Sequence, residues 1–141
     1  MFEQWQYTIA ASTPEGSAET KDCPISPGVI KKIELHTMFG CENLARCRVF
    51  LGVRPIFPRS PKHYITGNGL PVSTGEISEP VKTDIPILKW VIWNEDETNE
   101  HQMTLSVTWD TEEERRESAN ILKQSQQYLQ MIYEKLSGLV G

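Results

Sequence analysis

Apolar and polar residues alternate with a period of two in several short segments of the 141-residue chain, and the period lengthens near the C-terminus. Trp5 to Thr13, rich in aromatic, β-branched and small residues and closed by Pro14-Glu15-Gly16, reads as a first strand followed by a turn. Residues 14 to 28 carry Pro, Gly, Ser, Asp and Thr and read as a loop. From Val29 to Met38, Ile33, Leu35 and Thr37 fall on one face and Lys32, Glu34 and His36 on the other, as expected of a half-buried strand. The segment from Phe39 to Asn43 breaks it. Ala45 to Leu51 sets Cys47, Val49 and Leu51 against Arg46, Arg48 and Phe50, and Gly52 turns the chain. Val53 to Phe57 is expected to return as a short strand at an edge, because Pro55 lacks a backbone donor. Tyr64-Ile65-Thr66 precedes the turn residues Gly67-Asn68-Gly69.

Ile87 to Trp93 is apolar on both faces, with Leu88, Trp90 and Ile92 on one and Ile87, Val91 and Trp93 on the other, which predicts a central strand. Gln102 to Trp109 places Met103, Leu105, Val107 and Trp109 inward. These two strands are expected to form a hairpin around the acidic loop 94–100. Ile33, Leu35, Val49, Leu51, Leu88, Trp90, Ile92, Leu105 and Val107 would share one interior.

At Asp110 the pattern changes. Thr111 followed by Glu114 fits a capping box, and Glu112, Glu113 and Glu114 suit the positive end of a helix dipole. The helix is expected to run to about Ser137, with Gly138 as its stop. Leu122, Leu129 and Leu136 recur every seven residues, Ser125, Ile132 and Leu139 follow three residues behind them, and Ile121 and Tyr128 widen the stripe. The stripe would either pack on the chain's own sandwich or form a coiled-coil seam. Short strands punctuated by Gly and Pro, with no helices between them, predict a mainly β fold. The expected architecture is an antiparallel β-sandwich, jelly-roll-like, over residues 1–110, with a C-terminal helix over 111–141 for packing or oligomerisation. An immunoglobulin-like topology is the alternative, but its two cysteines around a Trp are missing.

Composition agrees with one globular core: 38% of residues are hydrophobic and 23% charged. No apolar stretch approaches the roughly 20 residues of a bilayer span, so no membrane partner is expected. The start, MFEQWQYTIAAS, has an early Glu3 and no basic residue ahead of its apolar ones, and reads as a strand rather than a secretory signal. A net charge of -5 opposes phosphate binding, so nucleic acid is not an expected partner. Arg46, Arg48, Arg54, Arg59 and Lys62 are locally concentrated and either decorate a strand face or meet an acidic partner.

Candidate chemistry is sparse. Cys23, Cys41 and Cys47, even with His36, match no compact zinc spacing, and an odd number of cysteines suits free buried thiols. The loop Asn94 to Glu100 offers hard oxygen ligands but lacks the EF-hand order, and reads as a solvated acidic loop, with His101 at its edge a candidate pH-sensitive group. No Gly-x-Ser-x-Gly elbow, P-loop or dinucleotide fingerprint is present. No catalytic residue, metal or cofactor is therefore expected, and the chain reads as a non-enzyme. Trp93, beside the polar loop, is expected to pack in the core or at a subunit interface, with sugar stacking as the alternative. The interface candidates are Leu122, Tyr128, Leu129, Ile132, Leu136 and Trp93.

Between Pro27 and Asp110 the order of motifs resembles small β-sandwich proteins of tailed viruses. Gly28-Val29-Ile30 opens a strand, Gly40-Cys41 forms a loop, and Ala45 to Leu51 and Tyr64-Ile65-Thr66-Gly67 follow. Trp93-Asn94-Glu95-Asp96-Glu97 and His101 then precede the last strand. The resemblance implies a virion protein made in the host cytoplasm, which decorates, cements or attaches to capsid or tail subunits, commonly as a homotrimer. The alternative is a carbohydrate-binding or host-recognition module.

Overall fold

The computed structural model describes residues 1–82, 84 and 86–140. Ten strands and one long helix follow in order: β1 (Phe2–Ile9), β2 (Glu19–Pro24), β3 (Gly28–Thr37), β4 (Ala45–Leu51), β5 (Arg54–Phe57), β6 (Ile65–Thr66), β7 (Val72–Ser73), β8 (Glu79–Val81), β9 (Ile87–Asn94), β10 (His101–Thr111) and α1 (Glu112–Val140). One antiparallel sheet runs β1-β10-β3-β7, with β8 also on β3; the other runs β2-β9-β4-β5, with β6 also on β4. The pairings are nested: β1 with β10, β2 with β9, β3 with β7 and β8, β4 with β5. A long hairpin rolled up so that β10 also meets β3 and β9 meets β4 is the winding of a jelly roll, and the expected β-sandwich is present.

All nine residues expected to share the interior are buried in one core cluster, together with Ile9, Ile30, Met103 and Trp109. Period-two patterning puts them there: along β4 buried and half-buried residues alternate without exception. β9, apolar on both faces, is central between β2 and β4 as predicted, and β5 with Pro55 lies at an edge. Gly28 is required at the crossing of β3 and the end of β10, since a Cβ there would lie 1.9 Å from the Asp110 carbonyl oxygen.

Four expectations need correction. The first strand ends at Ile9 rather than Thr13; beyond it the chain crosses to the second sheet, where Thr13 bridges Asn94. Residues 14–28 are not all loop, because β2 pairs along β9; with only Cys23 of its six residues buried, this polar edge strand leaves no alternation to read. β9 and β10 do not form a hairpin but belong to different sheets, and loop 95–100 arches between them. Gly138 does not stop the helix, which continues to Val140; an exposed helix tolerates glycine at a cost of about 1 kcal/mol.

Helix α1 starts as its sequence requires. The Thr111 hydroxyl accepts a hydrogen bond from the Glu114 backbone N–H at 3.1 Å. The Glu114 carboxylate does not close the box on the backbone; it lies 3.3 Å from the Met1 amine, which also donates to the Trp109 carbonyl at 2.8 Å. At 1.5 Å per residue the 29-residue helix is about 44 Å long.

Candidate functional site

The apolar stripe of α1 is uncovered. Ile121, Leu122, Tyr128, Leu129, Leu136 and Leu139 are all exposed, Leu129 by 64%, and Ile132 by 36%. The helix touches β10 and β3 near its start and then leaves the sandwich behind, so packing on the chain's own sheets does not occur in this structure. Monomeric proteins rarely leave so contiguous an apolar strip in water. Five of the six expected interface residues, Leu122, Tyr128, Leu129, Ile132 and Leu136, thus lie together on one exposed element.

Trp93 does not join them. Its ring is fully buried on the outer face of the second sheet, apart from the main core cluster. Tyr64 meets it edge-on at 5.8 Å between ring centroids, and the Arg48 guanidinium lies over it at 4.8 Å. Arg48 is held there by the His63 carbonyl and by Glu15, each at 2.7 Å. No ring face is left to stack on a sugar or a partner. The register could have signalled this, because β4 sets Arg46 beside Trp93 and Arg48 two residues along.

Three of the five residues of the basic cluster find acidic partners within the chain. Arg48 pairs with Glu15, while Arg54 and Arg59 flank the buried Glu79 carboxylate, and Arg46 lies 4.6 Å above the Tyr64 ring. Since Glu79 is on β8 of one sheet and Arg54 on β5 of the other, this pair clasps the two sheets at one edge.

At the pole opposite the helix, the arch is an ordered turn. Asp96 Oδ1 accepts from the Thr98 backbone at 2.9 Å, the Thr98 hydroxyl at 3.0 Å and the Asn99 backbone at 3.1 Å, while Oδ2 meets His101 Nε2 at 2.8 Å. The Thr98 N–H first, then His101, hold the Asp96 carboxyl well below the usual carboxylate range. Its oxygens are occupied by the chain itself, which argues against the calcium-loop geometry. A carboxylate with a depressed pKa in the fold adds stability above its unfolded value of about 3.9 and loses it as pH falls through the folded value. Asp96→Asn should therefore melt below the wild type at neutral pH, and the gap should close as the pH falls below about 4, as thermal melts at several pH values would show. An equal gap at every pH would mean that the charge contributes nothing.

Beside the arch, Phe39 (88% exposed) and Leu70 (76%) stand out from the turns 38–44 and 67–70, with the Phe39 ring over Gly69. The Asn68 side-chain oxygen ties these turns together, accepting from the Gly40 and Glu42 N–H groups. Sequence reasoning passed over this exposed pair; the signal was a large apolar residue inside each of two Gly/Asn turn segments.

The three cysteines are free and buried. Burial pushes the Cys23 and Cys47 thiols up to about 12 and raises Cys41, so none is a ready nucleophile. Among the described residues no cluster of three or more His, Cys, Asp or Glu is placed to hold a metal ion, and no helix is long and apolar enough to cross a membrane. No family model, curated protein or solved structure matches the chain.

Proposed function

We propose that this protein is a non-enzymatic structural component, a β-sandwich module that enters a larger protein assembly through α1. The observation that carries the reading is the exposed Leu122, Leu129, Ile132 and Leu136 stripe on a helix that its own sandwich leaves uncovered. A helix of this kind gains most of its stability from packing an apolar face, and this one has none in the single chain. The motif order from Pro27 to Asp110 supplies the setting: a tailed-virus particle, with the module decorating, cementing or attaching to the capsid or tail. Repeated modest contacts on such a lattice add up through effective concentration. The carbohydrate-binding alternative loses its main support with the burial of Trp93.

Purified particles from cells making the protein should contain it in fixed ratio to the shell or tail subunits, and particles assembled without it should lose heat or chemical resistance or the ability to attach. Absence from purified particles, together with no binding to any shell or tail subunit, would remove the structural reading.

A further inference from the structure

We infer that the partner covering the α1 stripe is this same chain, and that more than two copies join their helices in one bundle. The inference deepens the assembly reading above and rests on it only in treating α1 as the associating element. Taking Leu122, Leu129 and Leu136 as one core row of a heptad, Ser125, Ile132 and Leu139 form the other. The seam runs about 26 Å along the helix. In the middle layer Leu129 stands with Ile132, the pairing of rows that favours assemblies beyond two strands.

The flanks point the same way. In a two-helix seam the positions beside the core rows stay wet and usually carry Glu and Lys, which pair between helices. Here three of them are apolar, Ile121, Tyr128 and Tyr133, all more than 60% exposed in the single chain, while Gln126 and Lys135 hold the other two. Two helices cannot cover a stripe that wide, whereas a bundle of three or four encloses it. With eight apolar side chains at roughly 100 Å² each, a chain offers on the order of 800 Å², the amount each partner buries in a stable standard-sized interface.

A membrane surface fits less well. Interfacial helices are rich in Lys and Arg on the polar face, but from Ser118 onward this helix has only Lys123 and Lys135 against Glu134, and Gln124, Gln127 and Gln130 fill its polar side. The first turns, Glu112 to Ala119, are polar, with Arg115 and Ser118 at the core-row positions. They act as a spacer of about 12 Å that keeps the bulky sandwiches clear of the bundle.

The test is the solution mass of the full chain by sedimentation or light scattering. The expected result is three or four times the 16.1 kDa monomer at micromolar concentration. Leu129→Glu should return a 16.1 kDa species whose tryptophan near-ultraviolet signal and sandwich melting are unchanged. Ser125→Leu, which fills the weak layer of the seam, should lower the concentration at which the assembly dissociates by about tenfold or more. A wild-type chain that stays monomeric or stops at two copies overturns the inference, as does a Ser125→Leu variant no tighter than wild type. Monomers that bind anionic vesicles would make the membrane the occupant instead. A monomeric chain that is nevertheless found in particles would sink the self-association and leave the structural role standing; an oligomer absent from particles would do the reverse.

Discussion

Leu105→Ala should cost the sandwich about 2–5 kcal/mol, measured as the shift in the denaturation midpoint at constant slope. Leu105 is fully buried at the middle of β10, paired with Trp5 of β1 on one side and Leu35 of β3 on the other. Its side chain faces the second sheet across the core, where Val49 and Trp90 are equally inaccessible. Truncation leaves a hole where neighbours are locked on three sides, so little relaxation is available. The adjacent Thr104 points outward, between Gln6 and His36, and Thr104→Ala should stay within about 0.5 kcal/mol. Equal effects at the two positions would mean that the inward and outward faces of β10 are wrongly assigned.

Asn94→Ala should be nearly as damaging, at about 2–4 kcal/mol, although it removes no apolar contact of note. Asn94 ends β9 fully buried, and its carboxamide donates to the Ala10 carbonyl at 3.2 Å and to the Asn99 carbonyl at 2.9 Å. The same group accepts from the Asp96 N–H at 2.9 Å, and the Asn94 backbone exchanges hydrogen bonds with Thr13. One side chain thus pins the arch to the crossover that follows β1. Alanine would strand two carbonyls and one N–H in a part-buried place, each costing on the order of 1 kcal/mol or more. Hydrogen exchange of the Asp96 and Thr13 amides should rise by far more than that of the Leu105 amide. Protection unchanged at all three would show that the arch stands without its pin.

How much of this was legible follows from what each residue does alone. Ala45 to Leu51 buries every second side chain, and Val29 to Met38 and Gln102 to Trp109 do so apart from Lys31-Lys32 and the buried Ser106, so period two discloses both the strand and its inner face. β2 was illegible for the converse reason: Glu19-Thr20-Lys21-Asp22 covers no core, and only its hydrogen bonds to β9 make it a strand. The relation of β9 to β10 depended on loop 94–100, whose length suits a hairpin and an arch equally; the choice lies in Asn94, and a buried asparagine looks in sequence like any surface one. The choice between core and interface for Trp93 was not legible, because its cover, Tyr64 and Arg48, comes from distant parts of the chain. The helix stripe was plain to see, since heptad spacing is a local property. Whether anything within the chain covers it was not, because that depends on the direction in which α1 leaves β10.

The nested winding also sets a timetable for synthesis. A ribosome delivers β4 and β5 close together, so that hairpin can close first; β3 then finds β7 and β8, β2 must wait for β9, and β1 must wait for β10, its Phe2 pairing opposite Thr108. Such distant pairings are slow to form and leave the waiting strand bare in the meantime. Trp5 and Tyr7 are therefore the residues a nascent chain must shield longest, and chaperone dependence should track them rather than the helix. The helix stripe is made after the last strand, so each sandwich has all its strands in hand before the surface that joins it to its neighbours is complete.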